Sequence, residues 1–194
     1  ISFTSPHTPF TVNQEYWDRY TPDEIDAPTI GEIPFEELDY YSKAMFFAHG
    51  RHRHRITNKH LRDTRHAYYG MISYIDDKIG RILDILDKTS LSDETIVLFT
   101  SDHGEMLGEH GEEEHTYFIY ESAIRVPLII KLPGQMQFGG ILTNSFIHVM
   151  DLMPTFLSVA GAEYPTDYKG EPIVPLQGKS LIPMLTGTPS NGTE

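Results

Sequence analysis

Residues 58–88 constrain this chain more than any other stretch. Tyr68, Met71, Ile72, Ile75, Ile79, Ile82, Leu83 and Leu86 recur three and four apart, the spacing that gathers side chains on one face of a helix. Thr57 stands just ahead of them as an N-cap, its hydroxyl able to accept a backbone N–H of the first turn. A helix with one apolar stripe must bury it against a second layer. The next apolar run, Thr95-Ile96-Val97-Leu98-Phe99, is short, continuous and β-branched. It predicts a strand covered on both faces, as in a parallel sheet flanked by helices. Helix followed by buried strand predicts an α/β layer.

The remaining segments are read around that pair. Ile124–Leu132 predicts a second strand, and Pro127 places it at an edge or makes Pro127 an early strand residue. Phe146–Ala160 predicts a short amphipathic helix interrupted near Pro154, with Gly161 as its C-cap. Ile1–Thr4 reads as an apolar strand that runs into the loop Ser5-Pro6-His7-Thr8-Pro9. A chain that opens without methionine on such a strand is expected to have residues upstream. Residues 11–50 mix aromatic side chains with carboxylates and prolines, which predicts irregular excursions with short helices, cap-like in character. Beyond Gly161 the chain is rich in Pro, Gly and Thr and is expected to wrap the surface.

Composition removes several function classes. The 194 residues are 39% hydrophobic and 22% charged, enough for one domain with a sizeable core. No run approaches the ~18 apolar residues of a membrane helix. A formal net charge of −13 argues against nucleic acid as partner, since a basic face would have to dominate. There is no cysteine, so disulfides and thiolate-bound zinc are excluded within the chain. The one basic cluster, His49-Gly50-Arg51-His52-Arg53-His54-Arg55, admits two readings: a solvated helix lead-in, or a positive rim for an anionic substrate.

The chemistry concentrates after the predicted strand, at Phe99-Thr100-Ser101-Asp102-His103-Gly104-Glu105. Ligands in parallel α/β sheets bind beyond the carboxyl ends of strands. Adjacent carboxylate and imidazole on a turn can face one borderline divalent cation, with Ca²⁺, Mg²⁺ and Mn²⁺ all compatible. Gly104 lets the backbone turn sharply and approach closely. Taken alone, the Asp-His-Gly tripeptide is an ordinary structural turn. It continues, however, through Met106-Leu107-Gly108-Glu109-His110-Gly111 to His115, then Tyr120-Glu121-Ser122-Ala123-Ile124-Arg125-Val126-Pro127-Leu128-Ile129-Ile130.

That succession resembles the sulfatase family of the alkaline phosphatase superfamily. Ser5-Pro6-His7-Thr8-Pro9-Phe10 is similar to its Pro-His-x-Pro loop, and Tyr68–Leu86 to its central helix. Asp151-Leu152-Met153-Pro154-Thr155 and Gly178-Lys179-Ser180-Leu181 are similar to its later segments. Tyr16-Trp17-Asp18-Arg19-Tyr20 is similar to the choline-sulfatase-like branch. The resemblance implies an α/β fold that is part of an alkaline-phosphatase-like sandwich, with a mostly parallel central sheet flanked by helices and incomplete without an N-terminal half. Residues 1–194 would be a single C-terminal portion of the catalytic domain, with 11–56 an irregular cap-like insertion and 162–194 a surface tail.

The same resemblance implies roles. Asp102 and His103 would bind one divalent metal ion, Ca²⁺ first, with Mn²⁺ or Mg²⁺ as alternatives. His7 and His115 would face the sulfate and the nucleophile. His115 stands where many members carry lysine; imidazole titrates near pH ~6.5 where lysine does not. Read without the family, His7 is a surface loop residue and His115 an ion-pair partner of Glu112–Glu114. His110 is expected to be structural, its ring bonded to backbone. His148 with Asp151, and Glu121 with Arg125, are expected to pair locally.

The activity implied is sulfuric ester hydrolysis through a formylglycine derived from a Cys/Ser-x-Pro-x-Arg motif, which this chain lacks. The alternatives are a phosphonate monoester or phosphodiester hydrolase of the same superfamily, and a non-catalytic piece that only binds metal or oxyanion. The expected partner is a small sulfate ester, with no nucleic acid and no membrane, and homo-oligomers are allowed. A bacterial cytoplasm or periplasm is the expected compartment.

Overall fold

The computed structural model describes residues 1–112, 119–133, 140 and 142–187. The chain forms two compact units, one of Ile1–Asp93 with Leu98–Ile129, the other of Glu94–Val97 with Ile130–Glu194. Helix α1 spans Gln14–Trp17, α2 Tyr40–Ala48, α3 Asn58–Lys88, and strand β1 Val97–Thr100. They are followed by α4 (Glu121–Ile124), β2 (Leu128–Lys131), α5 (Leu152–Ala160), β3 (Asp167–Tyr168), β4 (Glu171–Pro172) and α6 (Ile182–Leu185). β1 and β2 lie side by side in one two-stranded sheet.

The first unit is organised by α3. Its start is where the sequence places it: Thr57 Oγ1 accepts the His60 N–H at 3.2 Å. Its buried face carries Arg65, His66, Ala67, Gly70, Met71 and Ile75. Burial of Met71 and Ile75 contributes about 1.5–3 kcal/mol each. Residues 16–20 lie along this face. Tyr16 meets Tyr74 edge-on at 5.4 Å, and Trp17 stacks on His66 at 3.8 Å. The Tyr20 hydroxyl bonds Ser73 at 2.7 Å and Arg19 pairs with Asp77 at 2.7 Å. The aromatic strip of the predicted excursion is thus bound to α3. Ile72 and Leu83, also on the predicted stripe, are exposed, because no described element covers that side of the helix.

Helix α2 begins at Asp39, whose carboxylate accepts the Tyr41 and Ser42 N–H groups at 2.8 and 3.1 Å. It ends in a cluster of Phe35, Phe46 and Phe47 rings 5.1–5.7 Å apart. The basic cluster then divides in two. Arg51 is largely buried and pairs with Glu112 at 2.9 Å and Glu32 at 3.5 Å. Its guanidinium also donates to the Gly111 carbonyl. His52, Arg53, His54 and Arg55 are exposed. Burial raises the Glu112 carboxyl above its usual range, and Arg51 opposes that rise.

Three predicted elements differ. Ile1–Thr4 is not a strand and Ile1 is 96% exposed, since no described strand lies beside it to supply a ladder. Phe99 and Ile129 are exposed, so β1 and β2 are not covered on both faces by described residues. Ile124 belongs to α4, and β2 begins only after Pro127, whose missing N–H keeps it outside the ladder.

In the second unit, α5 keeps Pro154 within its first turn, where no intrahelical N–H is lost. Gly161 closes the helix with φ +62°. His148 and Asp151 pair as expected: the His148 N–H donates to Asp151 Oδ2 at 2.8 Å and the Met150 N–H to His148 Nδ1 at 3.2 Å. Asp151 Oδ1 accepts the Lys179 N–H at 2.8 Å. Desolvation pushes this carboxyl up, but the two backbone donors prevail and hold it below its usual range. β3 and β4 form an antiparallel hairpin closed by Lys169-Gly170, both at positive φ.

Candidate functional site

β1 ends at Thr100 and delivers the chain to a tight turn at Ser101–Gly104. The Ser101 hydroxyl donates to the His103 carbonyl at 2.8 Å, and the His103 N–H donates to Asp102 Oδ1 at 3.1 Å. His103 Nδ1 lies 2.8 Å from the Gly104 carbonyl oxygen. A carbonyl only accepts, so Nδ1 carries the proton and the neutral ring presents its lone pair on Nε2. Nε2 stands 3.9 Å from Asp102 Oδ1, a separation that two donors bridge on one cation at about 2.0–2.6 Å each. The Asp102 side chain is 89% exposed and that of His103 27%, so the carboxylate is open on its outer side.

The turn is fixed from both directions. The Gly104 N–H donates to the Ala123 carbonyl at 2.7 Å. A Cβ on Gly104 would fall 2.0 Å from the Ser122 carbonyl oxygen, so α4 can sit there only against glycine. Met106 is wholly buried and receives the Ser122 hydroxyl at 3.0 Å. Leu107, Gly108, His110 and Gly111 all take positive φ. A Cβ on Gly108 would lie 2.8 Å from both Leu61 and Pro28. The Glu109 carboxylate accepts the Thr29 and Ile30 N–H groups at 2.9 and 2.7 Å, and the His110 N–H donates to the Ile30 carbonyl at 3.1 Å.

His7 arrives on a separate loop in which the Ser5-Pro6 and Thr8-Pro9 bonds are cis. Its N–H donates to the Thr4 carbonyl at 3.0 Å and its Nδ1 to the Thr8 carbonyl at 2.7 Å. The ring therefore has the same tautomer as His103. The two rings meet edge to face with centroids 6.2 Å apart. The structure thus brings together three of the four residues singled out from sequence, His7, Asp102 and His103. The fourth, His115, lies outside the described residues. Among the described residues no group of three or more His, Asp or Glu side chains gathers as a complete metal cage.

Other expectations resolve locally. Glu121 and Arg125 pair at 3.4 Å. Among the described residues the His110 ring has no backbone partner: it stacks on Tyr120 at 3.9 Å, and its buried Nδ1 is bonded to none of them. The backbone N–H makes the turn's bond instead, because positive φ directs it toward Ile30. Three residues near the turn were given no role at the site from sequence. Glu109 caps a distant loop. Arg65 is hidden inside the helical repeat. Tyr68 packs edge-on to Phe10 at 5.9 Å, and burial, aided by Glu105, pushes its phenol up to about 12. Only the Gly-flanked turn hinted at such anchoring.

Similarity to known proteins follows the same segments. The sulfatase family model matches residues 1–162. Choline-sulfatase of Rhizobium meliloti (strain 1021) is 37% identical over 188 residues, covering 96% of this chain and 35% of the relative. The multifunctional alkaline phosphatase superfamily protein PehA of Trinickia caryophylli is 34% identical, covering 98% of this chain and 38% of that protein. The crystal structure of the phosphonate monoester hydrolase of Agrobacterium radiobacter superposes with a TM-score of 0.79 at 28% identity. It covers the whole of this chain and 39% of that one. The chain therefore spans little more than a third of the length of these relatives, and its α/β fold is that of the alkaline phosphatase superfamily. A match over this much of the chain, in order and with the Asp102–His103 turn in place, makes it a member of the sulfatase family.

Proposed function

We propose that the protein to which this chain belongs is a sulfuric ester hydrolase that releases inorganic sulfate. The observation that carries this reading is the juxtaposition of the Asp102–His103 pair with His7. Sulfatases generally use a divalent metal ion and a formylglycine. The donor set fits the first: an open carboxylate and an imidazole whose Nδ1–H is already engaged. Asp102 and His103 would hold the cation, Ca²⁺ on the hardness of the carboxylate, with Mn²⁺ favoured by the imidazole and Mg²⁺ as a third choice. Bound there, a divalent ion neutralises charge that develops on ester oxygens. His7, held by the Thr8 carbonyl with its ring 6.2 Å from that of His103, would donate to a sulfate oxygen when protonated. His115 is assigned the second sulfate-facing role by its place in the family pattern. The formylglycine is assigned to the part of the protein that this chain does not span.

The likeness to a phosphonate monoester hydrolase supports a second reading, hydrolysis of a phosphonate monoester or phosphodiester at the same site. Sulfur and phosphorus esters both present tetrahedral anionic oxygens, so substrate pairs decide. The test is full-length protein matured with a formylglycine-generating system, assayed on an aryl sulfate, choline sulfate and an aryl phosphonate monoester. Sulfate release that Asp102→Ala lowers by ~100-fold or more, the scale of losing an oxyanion-stabilising group, is the expected result. Cleavage of the phosphonate alone would move the assignment to the second reading. No turnover of any of the three would remove both.

A further inference from the structure

Arg65 lies on the buried face of α3 and is 9% exposed. One guanidinium nitrogen donates to the Leu107 carbonyl at 3.1 Å and another to Asp26 Oδ2 at 2.5 Å. Asp26 Oδ1 accepts the Tyr69 hydroxyl at 2.7 Å, so the carboxylate that aims Arg65 is itself aimed from the next turn of the helix. Leu107 has φ +49°, a conformation disfavoured for any residue with a branched side chain. It persists only where surrounding bonds over-determine it. Between β1 and Leu107 the described loop is also held by the Gly104 N–H on the Ala123 carbonyl at 2.7 Å, by the Met106 carbonyl, which accepts the Glu109 N–H at 3.0 Å, and by the buried Met106 side chain. Asp102 and His103 lie within this span. Where Leu107 sits therefore limits where they sit.

We propose that Arg65 is a positioning residue for the Asp102–His103 pair: its fork, oriented by Asp26 and Tyr69, sets the path of the 101–107 loop and thereby the geometry of the metal-binding donors. This rests on the metal-site reading above. An ordinary buried ion pair would need only Asp26. The second arm, on the carbonyl of a residue in the left-handed region, is what a purely structural pair would not require. Lysine has donors enough for both acceptors, but its compact ammonium on a flexible stem lacks the rigid planar fork that reaches the carbonyl and the carboxylate in one orientation.

The experiment uses full-length, matured protein, stripped of metal and titrated with Mn²⁺ and then Ca²⁺ by calorimetry. Asp102→Ala tests the reading beneath the inference, and Arg65→Met and Arg65→Lys test the inference. Met71→Ala, which empties a buried position on the same helix, is the control for lost stability. Arg65→Met is expected to weaken metal binding about tenfold, the scale of losing a group that orients a ligand, and Arg65→Lys to recover part of it. Met71→Ala is expected to melt earlier with its metal affinity unchanged. If Arg65→Met does not fold, Arg65→Lys and Tyr69→Phe carry the same comparison with milder losses. Wild-type metal affinity in the folded Arg65 variants, with binding lost in Asp102→Ala, overturns the inference and leaves the site intact. So does an equal loss of affinity in Met71→Ala. Unchanged binding in Asp102→Ala overturns the metal site and the inference together.

Discussion

At the residue scale the most exacting position is Gly104. Glycine has no Cβ, and a methyl carbon at that position would fall 2.0 Å from the Ser122 carbonyl oxygen, where the backbone of α4 already sits. Gly104→Ala is expected to cost at least the ~1–3 kcal/mol of an overpacked site, read as a lowered urea midpoint. Because the displaced backbone is that of His103's neighbour, metal affinity should fall with it. A variant that melts and binds metal like the parent would show that the turn and α4 can separate freely. The glycine itself was legible in the sequence as part of the Asp-His-Gly turn. The reason for it, a carbonyl from a residue eighteen positions later, was not, because nothing local records which distant backbone will approach.

At the element scale, α3 shows both kinds of information. Its start depends on Thr57, and Thr57→Ala is expected to lower stability by about 1 kcal/mol, measured by urea unfolding. Its middle anchors Asp26 through Tyr69 and Arg65. The Tyr69 hydroxyl is the largest influence on the Asp26 carboxyl and holds it below its ordinary value of 3.8, desolvation opposing and Arg65 assisting. A carboxyl with a depressed native pKa binds fewer protons folded than unfolded, so its stabilisation is present above that ordinary value and lost as pH falls through the native one. Asp26→Asn should therefore remove part of the acid-induced loss of stability. Melting temperatures of the two proteins, compared from about pH 6 to about pH 2.5, should converge on acidification; parallel curves would rule the linkage out. The side chain is half exposed, so the effect is partly screened by solvent. The helical repeat announced α3 and its cap. It could not tell that Arg65, at a position on the buried face, reaches across to a loop carbonyl.

At the scale of the whole molecule, this chain spans little over a third of the length of the relatives it matches, so the proposed activity is tested on the full-length protein. Chelation of divalent metal from the full-length protein is expected to abolish ester hydrolysis, and readdition of Mn²⁺ or Ca²⁺ to restore it; hydrolysis that survives chelation would sink the metal role. No helix among the described residues is long and apolar enough to cross a membrane. The order of segments, the long helix, the apolar strand after it and the Asp-His-Gly turn were determined by sequence alone, because periodicity, β-branching and caps act over a few residues. The family followed from the same local patterns read in succession. Strand ends, the exposure of Phe99 and Ile72, the division of the basic cluster into a buried Arg51 and exposed neighbours, and the meeting of His7 with His103 were decided only in the tertiary structure. Each depends on which distant backbone or side chain arrives, and on the space it leaves, which no window of neighbouring residues contains.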